Sequence, residues 1–189
     1  MKNKYKVLVV GCGHMGISHA RAYHAIDQFE IVGLVSRKPD SRNRLSQELG
    51  GLPTYANFEE ALASSNPDVV SINTYPETHA PYCKKSLQAG AHVFIEKPLA
   101  LTVEEAQELV DLALAKNLKM VVGYILRVHP AWKKFIDIAQ SLGKPLVMRM
   151  NLNQQSCGSM WSTHKSLMNS MSPIVDCGVH YVDVMCLMT

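Results

Sequence analysis

Residues 5–16 read YKVLVVGCGHMG, a β-branched apolar run that ends in a glycine-rich turn. The run has no helical period, which predicts a strand buried on both faces. The turn has the form G-x-G-x-x-G, and a helix-like segment from Ile17 to Ile26 follows it. A strand, a glycine turn and a helix in this order predict the first unit of an α/β fold, a Rossmann-type doubly wound parallel sheet.

The rest of the first two-thirds repeats this alternation. Strands are predicted over residues 30–35, 54–55, 69–73, 92–95 and 119–124, with helices over 41–49, 58–63 and 76–89 between them. Asn57 and Thr102 are residue types that cap helix N-termini, and Thr102 opens a further helix. The buried stripe of that helix is predicted to be Val103, Ala106, Val110, Ala113 and Leu114.

Beyond residue 124 the alternation stops. We predict a helix from Pro130 to Leu142, a long strand over 145–153, a polar loop over 154–169, and a last helix that starts at Ser172-Pro173 and runs to about Leu187. These elements do not close a second core. We therefore expect a dinucleotide-binding Rossmann domain over residues 1–124 and an incomplete α+β second domain over residues 125–189.

Composition narrows the class of protein. The 189 residues are 47% hydrophobic and 19% charged with a net charge of +3, which excludes a disordered or collagen-like chain. The charges are scattered and the apolar runs are short, so neither nucleic acid nor a membrane is an expected partner. Five cysteines without a C-x-x-C pair are typical of the reducing cytoplasm.

The glycine turn indicates a dinucleotide. Gly11, Gly13 and Gly16 would permit a tight turn, close approach of the backbone to a pyrophosphate, and packing of the helix on the strand. The phosphates would lie on the free backbone N–H groups at the start of the helix, at His14 and Met15. The alternative is an ordinary glycine-rich turn between a strand and a helix.

The end of the second strand discriminates between cofactors. An acidic residue here would bind a ribose 2′-hydroxyl, but the chain has Ser36 followed by Arg37 and Lys38. A hydroxyl and a guanidinium would bind a 2′-phosphate, so we expect NADP(H) to be preferred and NAD(H) to remain possible. The alternative is that Arg37 and Lys38 are only solvated charges on a loop.

Three further groups of residues could do chemistry. Lys97, in Glu96-Lys97-Pro98 after the fifth strand, could stabilise a developing alkoxide, although a solvated lysine–glutamate pair fits the spacing equally well. The loop after the fourth strand, with Thr74, Pro76 and His79, could line a cofactor cleft, and Thr74 could instead cap the following helix.

The last helix carries the third group. Asp176, His180 and Asp183 have the spacing of one α-helical face. A histidine flanked by carboxylates is a candidate general acid/base. A satisfied core histidine is the competing interpretation, and a metal site is disfavoured because no third ligand stands at a recognisable spacing.

Together these motifs resemble the Gfo/Idh/MocA oxidoreductase family, which includes glucose–fructose oxidoreductase and inositol dehydrogenase. The resemblance rests on the glycine turn with His19-Ala20, the loop Thr74…Pro76…His79, Glu96-Lys97-Pro98, and Gly123-Tyr124…Arg127…Pro130. It also includes Asp176-x-Gly178-x-His180, and it covers nearly the whole chain in the same order.

The resemblance implies hydride transfer between NADP(H) or NAD(H) and a small sugar-like substrate, a cyclic polyol or a related carbonyl compound. Lys97 would polarise the substrate oxygen, His180 would move the proton, and Asp176 would support His180. Glu96 and Arg127 would lie near the nicotinamide, with Thr74 and His79 lining its approach. A non-catalytic dinucleotide-binding or redox-sensing module is the alternative.

Members of that family are longer than this chain. The resemblance implies a second domain with a large, mostly antiparallel sheet that floors the substrate pocket and joins subunits. We therefore expect residues 125–189 to be the start of that substrate and oligomerisation domain, in a protein that is C-terminally truncated here and is a homo-oligomer when full length.

Overall fold

The computed structural model describes residues 4–144, 147–151, 157–158, 161, 165, 168 and 171–188. The chain divides into two compact units, with Gly123 at the end of the first and Tyr124 at the start of the second. The sequence-based boundary was placed one residue later. Each unit is described on its own below.

The first unit contains one parallel sheet. Its strands are β1 (Tyr5–Val10), β2 (Phe29–Val35), β3 (Thr54–Tyr55), β4 (Val69–Ile72), β5 (His92–Ile95) and β6 (Met120–Val122). They lie in the order β3-β2-β1-β4-β5-β6, and every neighbouring pair is parallel. This confirms the Rossmann-type sheet. The order reverses between β1 and β4, where the carboxyl ends of the strands leave a crevice.

Helices cover both faces of the sheet. They are α1 (His14–Ala25), α2 (Pro39–Glu48), α3 (Phe58–Ser65), α4 (His79–Gln88) and α5 (Val103–Ala115), and a 3₁₀ turn over Pro76–Thr78 precedes α4. Successive side chains of β1 point to opposite faces. Val7 and Val9 join the core under α1 and α2, whereas Leu8 and Val10 join the core under α3, α4 and α5.

The predicted caps are confirmed, but the predicted stripe of α5 is partly wrong. The Asn57 side chain accepts a hydrogen bond from the Glu60 N–H at 2.9 Å, and the Thr102 hydroxyl accepts one from the Glu105 N–H at 3.2 Å. On α5 the buried face centres on Leu109 and Ala113, which are one turn apart. Val103 and Leu114 are 78% and 74% exposed. The predicted stripe was too wide and omitted Leu109.

In the described part of the second unit, two helices form a small core. A 3₁₀ turn (Ile125–Arg127) precedes α6 (Pro130–Ser141), and a π-helical segment (Ile174–Gly178) leads into α7 (Val179–Met188). Ile136 and Ala139 of α6 pack against Val184 and Met188 of α7.

The predicted strand over 145–153 is not formed at the residues that can be described. Residues 147–151 are assigned to no strand, and the other four positions, with most of the predicted loop over 154–169, lie outside the described residues. Met148 and Met150 do pack against the α6–α7 core, while Val147 is exposed. The apolar alternation therefore places side chains correctly, but a strand also needs a hydrogen-bonded neighbour.

No helix within the described residues is long and apolar enough to cross a membrane.

Candidate active site

The glycine turn packs at the point where the strand order reverses. A Cβ on Gly11, whose φ is +94°, would lie 2.5 Å from the Asn73 carbonyl oxygen, and a Cβ on Gly16 would lie 1.7 Å from the Gly11 oxygen. Side chains at either position would displace backbone. A Cβ on Gly13 would meet nothing within 4 Å. The outer glycines close the turn, and the middle one faces open space.

The open side of the turn fits a pyrophosphate group. Gly13, His14 and Met15 are exposed, and α1 begins at His14 with no side-chain cap and no acidic residue in its first turn. The first N–H groups of a helix lack backbone partners and carry its partial positive charge. Beside them, the buried Asn73 side-chain oxygen has no hydrogen-bond partner among the described residues. These features leave room and donors for a dinucleotide.

A cluster of basic residues follows β2. Ser36 is half-buried, and Arg37 and Lys38 are exposed. Arg42, in the first turns of α2, donates from Nη1 to the Ser36 backbone carbonyl oxygen at 2.8 Å, so it holds this loop. Its Nε is buried and has no partner among the described residues. Burial raises the pKa of the nearby Cys12 thiol to about 11 and the charge of Arg42 partly offsets this, so Cys12 is an inert thiol.

Glu96 and His19 join the end of β5 to α1. Glu96 is 6% exposed, and its Oε1 lies 2.9 Å from Nε2 of the half-buried His19. Its Oε2 accepts a hydrogen bond from the Lys97 N–H at 3.3 Å. Gly123 leaves space for the carboxylate, because a Cβ there would lie 3.3 Å from it. Both oxygens of Glu96 are thus bonded within the protein. Its expected place near the cofactor stays a prediction.

The environment of Glu96 favours its ionised form. Burial is the largest single influence and would raise the pKa of the carboxyl group, but the hydrogen bond from His19, the charges of His19 and Lys97 and the Lys97 N–H bond together outweigh it. The net effect holds the pKa of Glu96 below its usual value. The backbone N–H of Lys97 is therefore bonded to an ionised carboxylate, that of Glu96.

Lys97 lies at the carboxyl edge of the sheet, directly after β5 and Glu96. It is half-buried, and its peptide bond to Pro98 is cis. The loop after β4 reaches the same edge. Thr74 is half-buried and its hydroxyl lies 2.7 Å from that of Thr78, so Thr74 does not cap α4, whose N-cap has no side-chain bond.

Pro76 and His79 lie in the segment that joins β4 to α4. Both are buried, His79 completely, and both ring nitrogens of His79 lie at hydrogen-bond distance from backbone carbonyls. The 3₁₀ turn over Pro76–Thr78 carries the chain into α4 so that the histidine points inward. The side chains of these two residues are buried and support the loop from inside, and their contact with a cofactor stays a prediction.

In the second unit, Arg127 forms a two-bond ion pair with Asp183 of α7. Its Nε and Nη2 donate to the two carboxylate oxygens at 2.8 and 2.5 Å, and its guanidinium lies 5.5 Å from the centre of the Tyr124 ring. Tyr124 contacts the His180 ring edge-on at 6.4 Å. Burial and the charge of Asp183 raise the pKa of Tyr124, and Arg127 partly offsets this. Arg127 therefore connects Asp183 of α7 with Tyr124, whose ring contacts His180.

The predicted one-face arrangement of Asp176, His180 and Asp183 needs correction. Residues 174–178 are π-helical, so the α-helical spacing does not continue through Asp176. Asp176 and Asp183 are both buried and His180 is half-buried. Both carboxylate oxygens of Asp183 accept hydrogen bonds from Arg127. Within the described residues no group of three side chains could hold a metal ion.

Sequence reasoning missed two residues at this edge of the sheet. His19 was noted only as part of the motif that follows the glycine turn. The signal in the sequence was its spacing from the small residues Gly16 and Ala20, which the structure shows to be the buried positions of α1. Arg42 had no signal, since its importance depends on the path of the β2–α2 loop in space.

Comparison with known proteins extends these observations. Residues 5–124 match the family described as an oxidoreductase family with an NAD-binding Rossmann fold. The chain is 37% identical over 123 residues to UDP-N-acetylglucosamine 3-dehydrogenase from Acidithiobacillus ferrooxidans, covering 65% of this chain and 38% of that protein. It is 28% identical over 186 residues to inositol 2-dehydrogenase from Klebsiella pneumoniae, covering 95% of this chain and 53% of that protein.

A solved structure with the same fold is scyllo-inositol dehydrogenase from Lactobacillus casei, with bound NAD(H) and scyllo-inositol. Its TM-score is 0.81 at 21% identity, over 99% of this chain and 56% of that one. The chain thus spans about half the length, or less, of these relatives. Because the family model matches residues 5–124, the chain belongs to the Gfo/Idh/MocA oxidoreductase family, whose fold is an NAD-binding Rossmann fold.

Proposed function

We propose that the protein containing this chain transfers hydride between a nicotinamide dinucleotide and a sugar, cyclic polyol or related carbonyl compound. The observation that carries the proposal is the position of Lys97. It follows β5 at the same carboxyl edge as the glycine turn after β1, with β4 between the two strands. In doubly wound sheets this edge is where ligands bind.

The cofactor would be held by the glycine turn and by the loop after β2. The N–H groups of His14, Met15 and Gly16 would receive the pyrophosphate, and Ser36 and Arg37 the adenosine ribose. A hydroxyl and a guanidinium without a carboxylate at the strand end favour a 2′-phosphate, so NADP(H) is the preferred cofactor and NAD(H) the weaker one.

The cofactor preference has a direct test. Replacing Arg37 with alanine should weaken NADPH binding about tenfold, or ~1.4 kcal/mol, and leave NADH binding within about twofold. Fluorescence titration with each cofactor measures both values. The matched control is Lys4→Ala, a cation at the other end of the sheet, ahead of β1. Tighter binding of NADH than NADPH by the unmodified protein would contradict the preference.

Two side chains would carry the proton and the developing charge. The Lys97 ammonium would hydrogen-bond to the substrate oxygen and stabilise negative charge on it. His180 would give or take the proton at that oxygen, because imidazole titrates near neutrality, and Asp176 would orient the imidazole. When bound, the nicotinamide ring supplies or accepts the hydride. Arg127, through Asp183 and Tyr124, would keep the surroundings of His180 in place.

The substrate class is supported by the relatives. Proteins that share 37% and 28% identity with this chain are named a dehydrogenase of a nucleotide sugar and a dehydrogenase of inositol. Both names describe oxidation of a ring hydroxyl. A small polyhydroxylated ring is therefore the substrate class to assay first, in both directions of reaction.

The test is a steady-state assay of the full-length protein against a panel of aldoses, nucleotide sugars and cyclic polyols with both cofactors. Lys97→Ala and His180→Ala should each lower kcat at least a hundredfold, while cofactor Kd changes less than about threefold. The controls are Lys84→Ala, which changes a lysine whose side chain is 44% exposed, and His24→Ala, which changes an exposed histidine. Normal turnover in either active-site variant would contradict the assigned roles. Cofactor binding without turnover of any substrate would favour a redox-sensing module instead.

A further inference from the structure

His79 is a fully buried histidine that the proposed chemistry does not use. It is the first residue of α4 and has no exposed surface. Its Nδ1 lies 2.6 Å from the carbonyl oxygen of Pro98, and its Nε2 lies 3.1 Å from the carbonyl oxygen of Thr74. These carbonyls belong to the two loops that follow β5 and β4. One imidazole ring thus joins two loops at the carboxyl edge of the sheet.

The chemistry of the two bonds restricts the histidine. Carbonyl oxygens only accept hydrogen bonds, so each ring nitrogen must carry a proton to bond its partner. A neutral imidazole has one N–H and makes one of these bonds, whereas the imidazolium makes both. The shorter distance is the one to Pro98. A buried polar atom left without a bond is costly, so the ring is committed to at least the Pro98 carbonyl.

The Pro98 carbonyl is the main-chain group through which His79 holds the loop after β5. Proline has no N–H, so its carbonyl is its only polar backbone atom. On the other side, the Lys97 N–H is held by Glu96, which in turn contacts His19 of α1. Lys97 is therefore bracketed by Glu96 at its own N–H and by His79 at the following carbonyl.

We propose that His79 is a positioning residue, which fixes the direction of the Lys97 side chain by holding the Pro98 carbonyl. The inference rests on the proposed function only in giving Lys97 a substrate oxygen to act on. A histidine that merely fills the core would also need partners for its nitrogens, so the variants below are assessed at Lys97 and not by stability alone.

A pair of substitutions separates the two bonds. In His79→Asn the side-chain amide lies where Nδ1 lies, so the bond to Pro98 can be kept and the bond to Thr74 is lost. In His79→Gln the amide reaches the place of Nε2, which keeps the bond to Thr74 and loses the bond to Pro98. The two variants are both polar amides, so a difference between them reports which carbonyl matters.

The first readout does not depend on activity. Reductive ¹³C-methylation labels the lysine amines, and Lys97→Arg identifies the Lys97 resonance by NMR. We expect His79→Asn to keep the Lys97 chemical shift and His79→Gln to move it to the position of exposed, freely rotating lysines. Equal Lys97 spectra in the two variants, at equal stability in urea, would overturn the proposal.

The second readout is kinetic, in the full-length protein. His79→Gln should lower kcat at least tenfold with an unchanged KM for the cofactor, and His79→Asn should keep kcat within about threefold. If the NMR difference is seen but no substrate is turned over, the positioning role stands and the proposed function fails. If turnover is seen but the variants have equal kcat, the positioning role fails and the proposed function stands.

A measurement on the unmodified chain covers the case in which neither variant folds. ¹⁵N NMR of the His79 ring reports which nitrogens carry a proton. We expect Nδ1 to be protonated, because it must donate to Pro98. An unprotonated Nδ1 would overturn the proposal.

Discussion

The two units of the chain hold their candidate catalytic residues in different ways. In the first unit Lys97 follows an interior strand, and its backbone is held where that strand ends: Glu96 accepts a bond from its N–H, and the next carbonyl, that of Pro98, lies at hydrogen-bond distance from His79. In the described part of the second unit His180 lies on a helix, and its surroundings depend on side chains, namely the Arg127–Asp183 pair and the Tyr124 ring. Backbone geometry follows from local sequence, whereas side-chain pairing between distant residues does not.

The largest expected effect is at the glycine turn. Gly16→Ala places a methyl group 1.7 Å from a backbone oxygen and should destabilise the first unit by about 3–5 kcal/mol or prevent folding. Gly13→Ala, where the methyl group meets open space, should cost less than about 1 kcal/mol. Urea unfolding measures both. Equal losses of unfolding free energy in the two variants would show that close backbone packing does not determine the structure of this turn.

A smaller effect, confined to the second unit, is expected from Arg127→Ala. The change leaves the carboxylate of Asp183, whose side chain is only 8% exposed, without its two-bond partner. Because the guanidinium is itself half exposed, we expect a loss of about 1–3 kcal/mol. Amide hydrogen exchange should quicken in α7 and stay constant in β1. Arg127→Ala in an Asp183→Asn background is the control and should add little.

The pH dependence of stability tests the Glu96 environment. The pKa of Glu96 in the folded chain is held below the ordinary value of 4.5, so its stabilisation is complete above that value and is lost as the pH falls through the folded pKa. The excess in stability of the unmodified chain over Glu96→Gln should therefore shrink as the solution becomes more acidic than about pH 5. The effect is modest, because burial and the His19 bond act in opposite directions. An excess that grows in acid would contradict this description.

The smallest effect is expected for an exposed ion pair. Lys84 and Glu108 join α4 to α5 with side chains that are 44% and 59% exposed. Lys84→Ala should change the free energy of unfolding by no more than about 0.5 kcal/mol, because solvent and side-chain entropy offset such pairs. A loss as large as that of Arg127→Ala would mean that burial does not distinguish the two pairs.

The sequence predicted the first unit well because its signals are local. Buried β-branched runs, the caps Asn57 and Thr102 and the glycine turn each act through neighbouring residues. Residues 147–151 show the limit of such signals: their alternation placed Met148 and Met150 in the core, but no alternation specifies a partner strand.

The candidate site was predicted less completely. Lys97 lies at the predicted edge, but the inward position of His79 and the pairing of Glu96 with His19 depend on contacts between residues far apart in sequence. The π-helical segment before α7 also cannot be obtained from α-helical spacing.

Binding of NADPH to the Gly13→Ala variant tests most directly whether the glycine turn receives the dinucleotide. This variant keeps the fold if the middle glycine only faces open space, so any loss of affinity reports the ligand itself. Calorimetric titration should give a Kd at least tenfold weaker than that of the unmodified chain, about 1.4 kcal/mol, because the methyl group would enter the open space proposed for the pyrophosphate. An unchanged Kd in a folded variant would contradict binding at this turn.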